Sequence, residues 1–259
     1  TGRFIMGEGV TLTANVIAPT SINTTLLIPI TTSCTIIGNL TATNTANSLI
    51  ASKTGSGTLN IFGNVSGGSS TGMQGLRIDN SGDVNITGNV TAMTTAGVVN
   101  ANGIVINAIC NVTVVGDVSL TSFPTINSLS PAIISSVDAN VNITGTVRGA
   151  SAAAISLSGA SAILTVVGDI IAPIGLAAGA SILMSGVNAE LSVTGNVYAG
   201  LYGNGITMSG TNSLATIVGA LHAPDNNIIT TAVSNSATVS NRGIILSGDL
   251  YYGLLGAVP

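Results

Sequence analysis

Charge is what this sequence lacks most. Its 259 residues carry five Lys and Arg against nine Asp and Glu, 5% of the chain, where about 25% is ordinary. The five cations, Arg3, Lys53, Arg77, Arg148 and Arg242, are scattered over the whole length. Holding a phosphate backbone needs cations gathered on one surface, so no nucleic-acid partner is expected. The same scatter leaves no basic patch or basic amphipathic helix for a membrane surface. Membrane insertion is not expected either, because the charge-free stretch 170–189 is interrupted by Pro173, Gly175, Gly179 and Gly186, residues that suit corners rather than a spanning helix.

Histidine, cysteine and aromatic residues are nearly as scarce. His222 is the single histidine, which excludes a multi-histidine metal site, and no Gly-x-Ser-x-Gly elbow accompanies it. Cys34 and Cys110 fall about three periods apart in the repeat described below, beyond the roughly 7 Å that a disulfide spans. Both are expected to be free, and Cys34, in the inward slot four before Gly38, is expected to be a buried thiol. Tyr198, Tyr202, Tyr251 and Tyr252 are too few and too near the C-terminus to line a cleft for stacking sugars. A chain that starts at Thr1 fits a processed secreted or virion protein, or a piece of a longer one.

What is abundant is Val, Ile, Leu and Ala set among Ser, Thr, Asn and 33 glycines, a mixture that favours strands and tight corners. The arrangement is periodic. Residues 84–90 read VNITGNV, 164–170 read LTVVGDI and 191–197 read LSVTGNV. Aligned on the glycine, the copies fall at Gly38, Gly63, Gly88, Gly116, Gly145, Gly168, Gly195, Gly219 and Gly248, with Ala14 in register ahead of them. The spacings run from 23 to 29 residues with a mean of 26, a period typical of stacked repeats.

The residues four and two before each glycine are usually aliphatic, as in Val84 and Ile86. This alternation predicts a strand with those positions inward. The aliphatic two after the glycine (Val90, Val118, Ile170, Val197) resumes the inward face past a corner. A second apolar segment, such as LRID at 76–79 or ILMS at 182–185, precedes most copies, so each period holds at least two strands. The position after the glycine is Asn39, Asn64, Asn89, Asp117, Asp169, Asn196 or Asp249, with Thr146 and Ala220 as exceptions. Short Asx side chains tolerate corner backbone and bond locally, which predicts a corner ladder.

This pattern predicts an all-β fold, a parallel β-solenoid of about ten coils averaging 26 residues, forming a single elongated domain over 1–259. An antiparallel sandwich would also have short strands, but its strands are not copies of one another. The repeat resembles the right-handed parallel β-helices of bacterial adhesin and autotransporter passengers and of phage fibres. Right-handedness is what that resemblance and the crossover rule imply. The resemblance is one of architecture and names no activity.

No residue set announces chemistry. β-Helix enzymes of the kind this architecture resembles gather acids on one flank, whereas Asp117, Asp169 and Asp249 here occupy a corner slot otherwise filled by Asn. The run DNSGD places Asp79 and Asp83 as weak candidates for calcium, without the bidentate Glu that such a loop needs. No cofactor is expected. The residue just before the motif glycine should point outward, and at Ile37, Phe62, Val115, Val167 and Val218 it is apolar. An exposed apolar stripe marks a contact surface. No amphipathic helix or charged cap is visible at either end, and open sheet edges invite pairing.

The expectation is therefore a non-catalytic structural subunit of an extracellular filament, sheath or fibre, at a cell or virion surface. It would assemble with itself through open solenoid ends and an apolar outward face. The alternative is a stalk or receptor-binding segment of an adhesin, passenger or phage fibre, with a cell-surface glycan as partner. A polysaccharide-acting β-helix enzyme stands third.

Overall fold

The computed structural model describes residues 4–18, 24–42, 49–67, 74–94, 101–122, 131–150, 154–172, 181–200, 205–223, 233–235 and 243–252. Among them every regular element is a β-strand, and the fold is a parallel β-solenoid. Thirty strands, numbered in chain order, form three parallel sheets of ten strands each. The chain visits the sheets in turn. In the first coil β1 (Phe4–Ile5) lies in sheet A, β2 (Thr11–Thr13) in sheet B and β3 (Val16–Ala18) in sheet C. The sheets close with β28 (Val233–Asn235), β29 (Gly243–Leu246) and β30 (Leu250–Tyr252).

The expected motif strand is the sheet B strand, and the segment before it belongs to sheet A. The sequence reading left the third strand unnamed. That strand starts at the aliphatic two after the glycine, and several copies, such as Val147–Arg148 and Val197–Tyr198, are only two residues long. A run that short carries too little alternation to be legible.

Inward side chains stack in like-on-like columns. In sheet B, Ile61, Ile86, Val114, Ile143, Val166, Val193 and Ile217 pair rung by rung, and all are buried. Each such side chain contributes roughly 1.5–3 kcal/mol by leaving water. In sheet C the column runs Val65, Val90, Val118, Val147, Ile170, Val197, Leu221. β-Branched residues suit this role because their few rotamers fit the pleated surface.

Coil length varies without disturbing sheet B. The sheet strands Asn111–Val115, Asn140–Thr144, Ile163–Val167 and Glu190–Thr194 pair over all five residues, although their glycines are spaced 29, 23 and 27 apart. Sheet C follows sheet B across a corner of only two residues, glycine and the position after it, as at 88–89 and 195–196. The variable segments, 123–132 among them, connect sheet C to the next sheet A strand and lie mostly outside the described residues.

The motif glycine is required twice over. Gly116 has φ +148°, a region costly for any residue with a Cβ. A Cβ there would also lie 2.3 Å from the carbonyl oxygen of Gly88, one coil below. The stacked corners touch backbone to backbone, so nothing flexible can yield. Gly116→Ala should therefore destabilise the protein by at least about 2 kcal/mol. Gly9→Ala is the contrast: its φ is +66° but no atom lies within 4 Å of an added Cβ, so its cost should stay near 1–2 kcal/mol. Urea denaturation of the two variants reads the difference.

Candidate functional site: corner ladder and outward face

The corner between sheets B and C carries the expected ladder, and the structure shows its chemistry. The Asn39 amide nitrogen donates to Asn15 Oδ1 at 2.8 Å. Asn64 donates to Asn39 and Asn89 to Asn64, each at 2.8 Å. Asp117 then donates to Asn89 Oδ1 at 2.9 Å and Thr146 to Asp117 Oδ1 at 2.7 Å. The pattern resumes with Asn196 donating to Asp169 Oδ1 at 2.7 Å and Ala220 to Asn196 Oδ1 at 2.9 Å. Each side-chain oxygen thus accepts from the backbone of the following coil. Asn15 extends the ladder one coil earlier than the sequence reading placed it. Thr146 and Ala220 receive a bond but have no side-chain carbonyl to offer the next rung. Asp249, the last ladder residue expected, holds the equivalent corner with its backbone oxygen accepting from Leu221.

The outward positions of sheet B lie where the alternation put them. Ile37, Phe62, Val115, Val167 and Val218 are 45–52% exposed and belong to one column, with Thr13, Thr87, Thr144 and Thr194 as exposed rungs between them. A second outward column, two residues earlier along each strand, was missed by the sequence reading. It runs Thr11, Thr35, Asn60, Asn85, Thr113, Asn142, Thr165, Ser192, Thr216, with Ile245 at its end. Its signal was available: every motif copy has a polar residue three before the glycine, except the last.

The two calcium candidates face different neighbours. Asp79 accepts from Arg77 Nε at 2.6 Å, Asn107 Nδ2 at 2.9 Å and Ser52 Oγ at 3.1 Å. Burial pulls its pKa upward, but the donors Asn107, Arg77 and Ser52 outweigh it and hold the carboxyl below its ordinary value. Asp83 accepts from Asn111 Nδ2 at 2.8 Å. It lines a shallow groove of about 310 Å³ with Asn111, Asp138, Asn140 and Ser161, floored in part by Ile109. Among the described residues no three His, Cys, Asp or Glu side chains converge on one point, and no helix is long and apolar enough to cross a membrane.

Both cysteines are free and buried, and burial pushes each thiol up to about 11. Tyr198 and His222, partners in adjacent sheet C strands, stack with ring centroids 4.6 Å apart. Burial holds the His222 pKa below its ordinary value, against the opposing pull of Asp169. Tyr202 lies outside the described residues.

Two charged groups are used in ways the sequence did not announce. Glu8 is exposed, yet its carboxylate grips the next coil: Thr31 donates its backbone N–H at 2.6 Å and its hydroxyl at 3.0 Å to Oε1, and Thr32 donates at 2.8 and 2.6 Å to Oε2. Lys53 is fully enclosed, standing in a core column between Ile28 and Ile78. Its ammonium donates to the carbonyls of Gly55 at 2.6 Å, Asn80 at 3.5 Å and Ser81, tying the corners of two coils. Burial lowers its pKa from the ordinary value; Asp83 and the two cysteines act in the opposite sense.

No family model, curated protein or solved structure matches the chain.

Two pH dependences follow. The hydrogen bonds from Thr32 and Thr31 hold the Glu8 carboxyl at about 2, below its ordinary 4.5. Its contribution to stability is therefore fully present above about pH 4.5 and is lost as pH falls through about 2. Thermal unfolding midpoints of wild type and Glu8→Gln should converge across that window. Lys53 has the opposite sign. Its lowered folded pKa means that the unfolded chain holds the proton to higher pH, so this residue's contribution rises with pH towards the ordinary value of 10.5. The denaturation midpoint of wild type relative to Lys53→Met should increase between about pH 7 and about pH 10. A constant difference would mean that Lys53 is not desolvated.

Proposed function

We propose that the protein is a non-catalytic structural subunit of an extracellular filament, sheath or fibre that assembles with itself. Assembly uses coil-on-coil stacking at the solenoid ends and the apolar outward column of sheet B. The observation that carries this reading is that column: five large apolar side chains, 45–52% exposed, held in line on a sheet whose strands pair without slipping. A surface residue costs little when it is apolar once, but a regular exposed row is a contact surface. Stacking at the ends asks for nothing new, since it would continue the parallel ladders that already join coil to coil. The enzyme reading has least behind it: Asp83 and Asp138 line one groove from coils two apart, and Asp83 is already engaged by Asn111.

The second reading is a stalk or receptor-binding segment that contacts a surface glycan. The groove favours it: Asn111, Asn140, Asp83 and Ser161 offer paired donors and acceptors beside the apolar Ile109.

Electron microscopy of the purified chain across a concentration series separates the two. Ordered filaments or tubes with an axial repeat near 48 Å, ten strands at about 4.8 Å, are expected. Discrete particles at every concentration would sink self-assembly and turn attention to glycan binding.

A further inference from the structure

We infer that the outward face of sheet B, centred on its two outward columns, is a pairing surface for a second copy of this chain laid face to face upon it; the inference rests on the self-assembly reading above. Exposed apolar area selects the face. Seven of the exposed large apolar side chains stand on sheet B strands, Ile163 and Ile245 joining the five named above, against Ile5 in sheet A and Ile17 in sheet C. Outward charge is equally sparse on all three sheets, with Glu190 in sheet B, Arg77 in sheet A and Arg148 in sheet C. Burying a charge against an uncharged surface costs its hydration, so a face this poor in charge can pair with its copy at little cost.

The polar column fits the same occupant. Thr and Ser hydroxyls and Asn carboxamides each donate and accept, so a row of them can bond to an identical row. Asn85 Nδ2 already bonds Asn60 Oδ1 at 3.0 Å along the column, which shows the kind of contact available. The neighbouring column supplies apolar area, and its Thr, Val and Ile side chains are stiff at χ1, so docking freezes little motion. The size is of the right order. Nine strands, the most that overlap about an axis through one rung, at about 4.8 Å and up to five residues at about 3.3 Å give a face of roughly 700 Å², close to the about 800 Å² per partner of a stable complex.

The order of residues sets the arrangement. From Thr87 to Val218 the column alternates strictly, Thr87, Val115, Thr144, Val167, Thr194, Val218. A two-fold axis along the strand direction, passing through one rung, sets column against matching column with the solenoids antiparallel. Valine rungs then meet valine rungs and threonine rungs meet threonine rungs. Such an interface is isologous and closes at two copies.

The test is sedimentation of the full chain across a concentration series, with electron microscopy of the same samples. Three proteins are compared: wild type, Val115→Lys/Val167→Lys, and Thr121→Lys on the exposed face of sheet C as control. Wild type and control should pair, and the double variant should pair at least about tenfold more weakly, giving assemblies of half the width. Should lysine disturb the fold by circular dichroism, the isosteric Val115→Thr/Val167→Thr variant replaces it and should weaken pairing in the same direction. Equal pairing by wild type and the double variant overturns the sheet B assignment while leaving self-assembly standing. Filaments of unchanged width in the variant do the same. A wild type that stays monomeric at every concentration overturns both.

Discussion

The structure depends on one contact: the carbonyl oxygen of each motif corner, Ala14 in the first coil and glycine after it, occupies the place that a Cβ on the motif glycine one coil above would need. An added Cβ would stand 2.0–2.3 Å from that oxygen at every described motif glycine from Gly38 to Gly248. With the corners in backbone contact, the coils cannot tilt or slip against one another. Sheets B and C are forced to start each rung in step, and the two-residue corner between them cannot absorb an insertion. That is why coil length varies elsewhere. It is also why the side-chain columns align so closely that Val stacks on Val and Thr alternates with Val over six consecutive rungs.

The corner glycine was legible because it repeats a residue type that strands otherwise avoid; the backbone contact it makes with the coil below was not. Inward alternation was legible for the same reason, as at Val84 and Ile86 or Leu164 and Val166. What escaped were features carried by single residues or by distance. Lys53 ends the segment LIASK, and its alternation with Leu49 and Ala51 does point it inward. A lysine is so rarely enclosed that composition argues against the pattern, and only its carbonyl partners from the corners of two coils, Gly55 and Ser81, explain how it is tolerated. The grip of Glu8 on Thr31 and Thr32 spans more than twenty residues and leaves no local trace. The third strand has only two or three residues in most coils, Val90–Thr94 and Val118–Ser122 being the longer ones, and so seldom shows a period. The polar outward column was visible at each copy but looked like ordinary solvent-facing polarity until the ladder lined its members up.

The scarcity of charge acquires a structural meaning. Of the few ionised groups, Arg77 pairs with Asp79, Glu8 closes a corner, Lys53 stitches two coils and Asp117 and Asp169 serve as ladder rungs. Charges here are mostly structural fasteners within the stack. Few remain on the outward faces of the described strands to oppose the self-pairing proposed above.

The corner ladder also has a direction and a phrasing of its own. From Asn15 to Thr146 each rung leans on the one before, and the chain of bonds polarises along its length. At Thr146 the side-chain relay stops, to begin afresh at Asp169 and end at Ala220. The backbone ladders run on beneath it: Gly145 still donates to Val167 and Val147 to Asp169, and sheet B pairs there over five residues. Two runs of side-chain bonds thus ride on one continuous stack, so losing a single Asx oxygen would loosen its own run while the coils beyond stay seated.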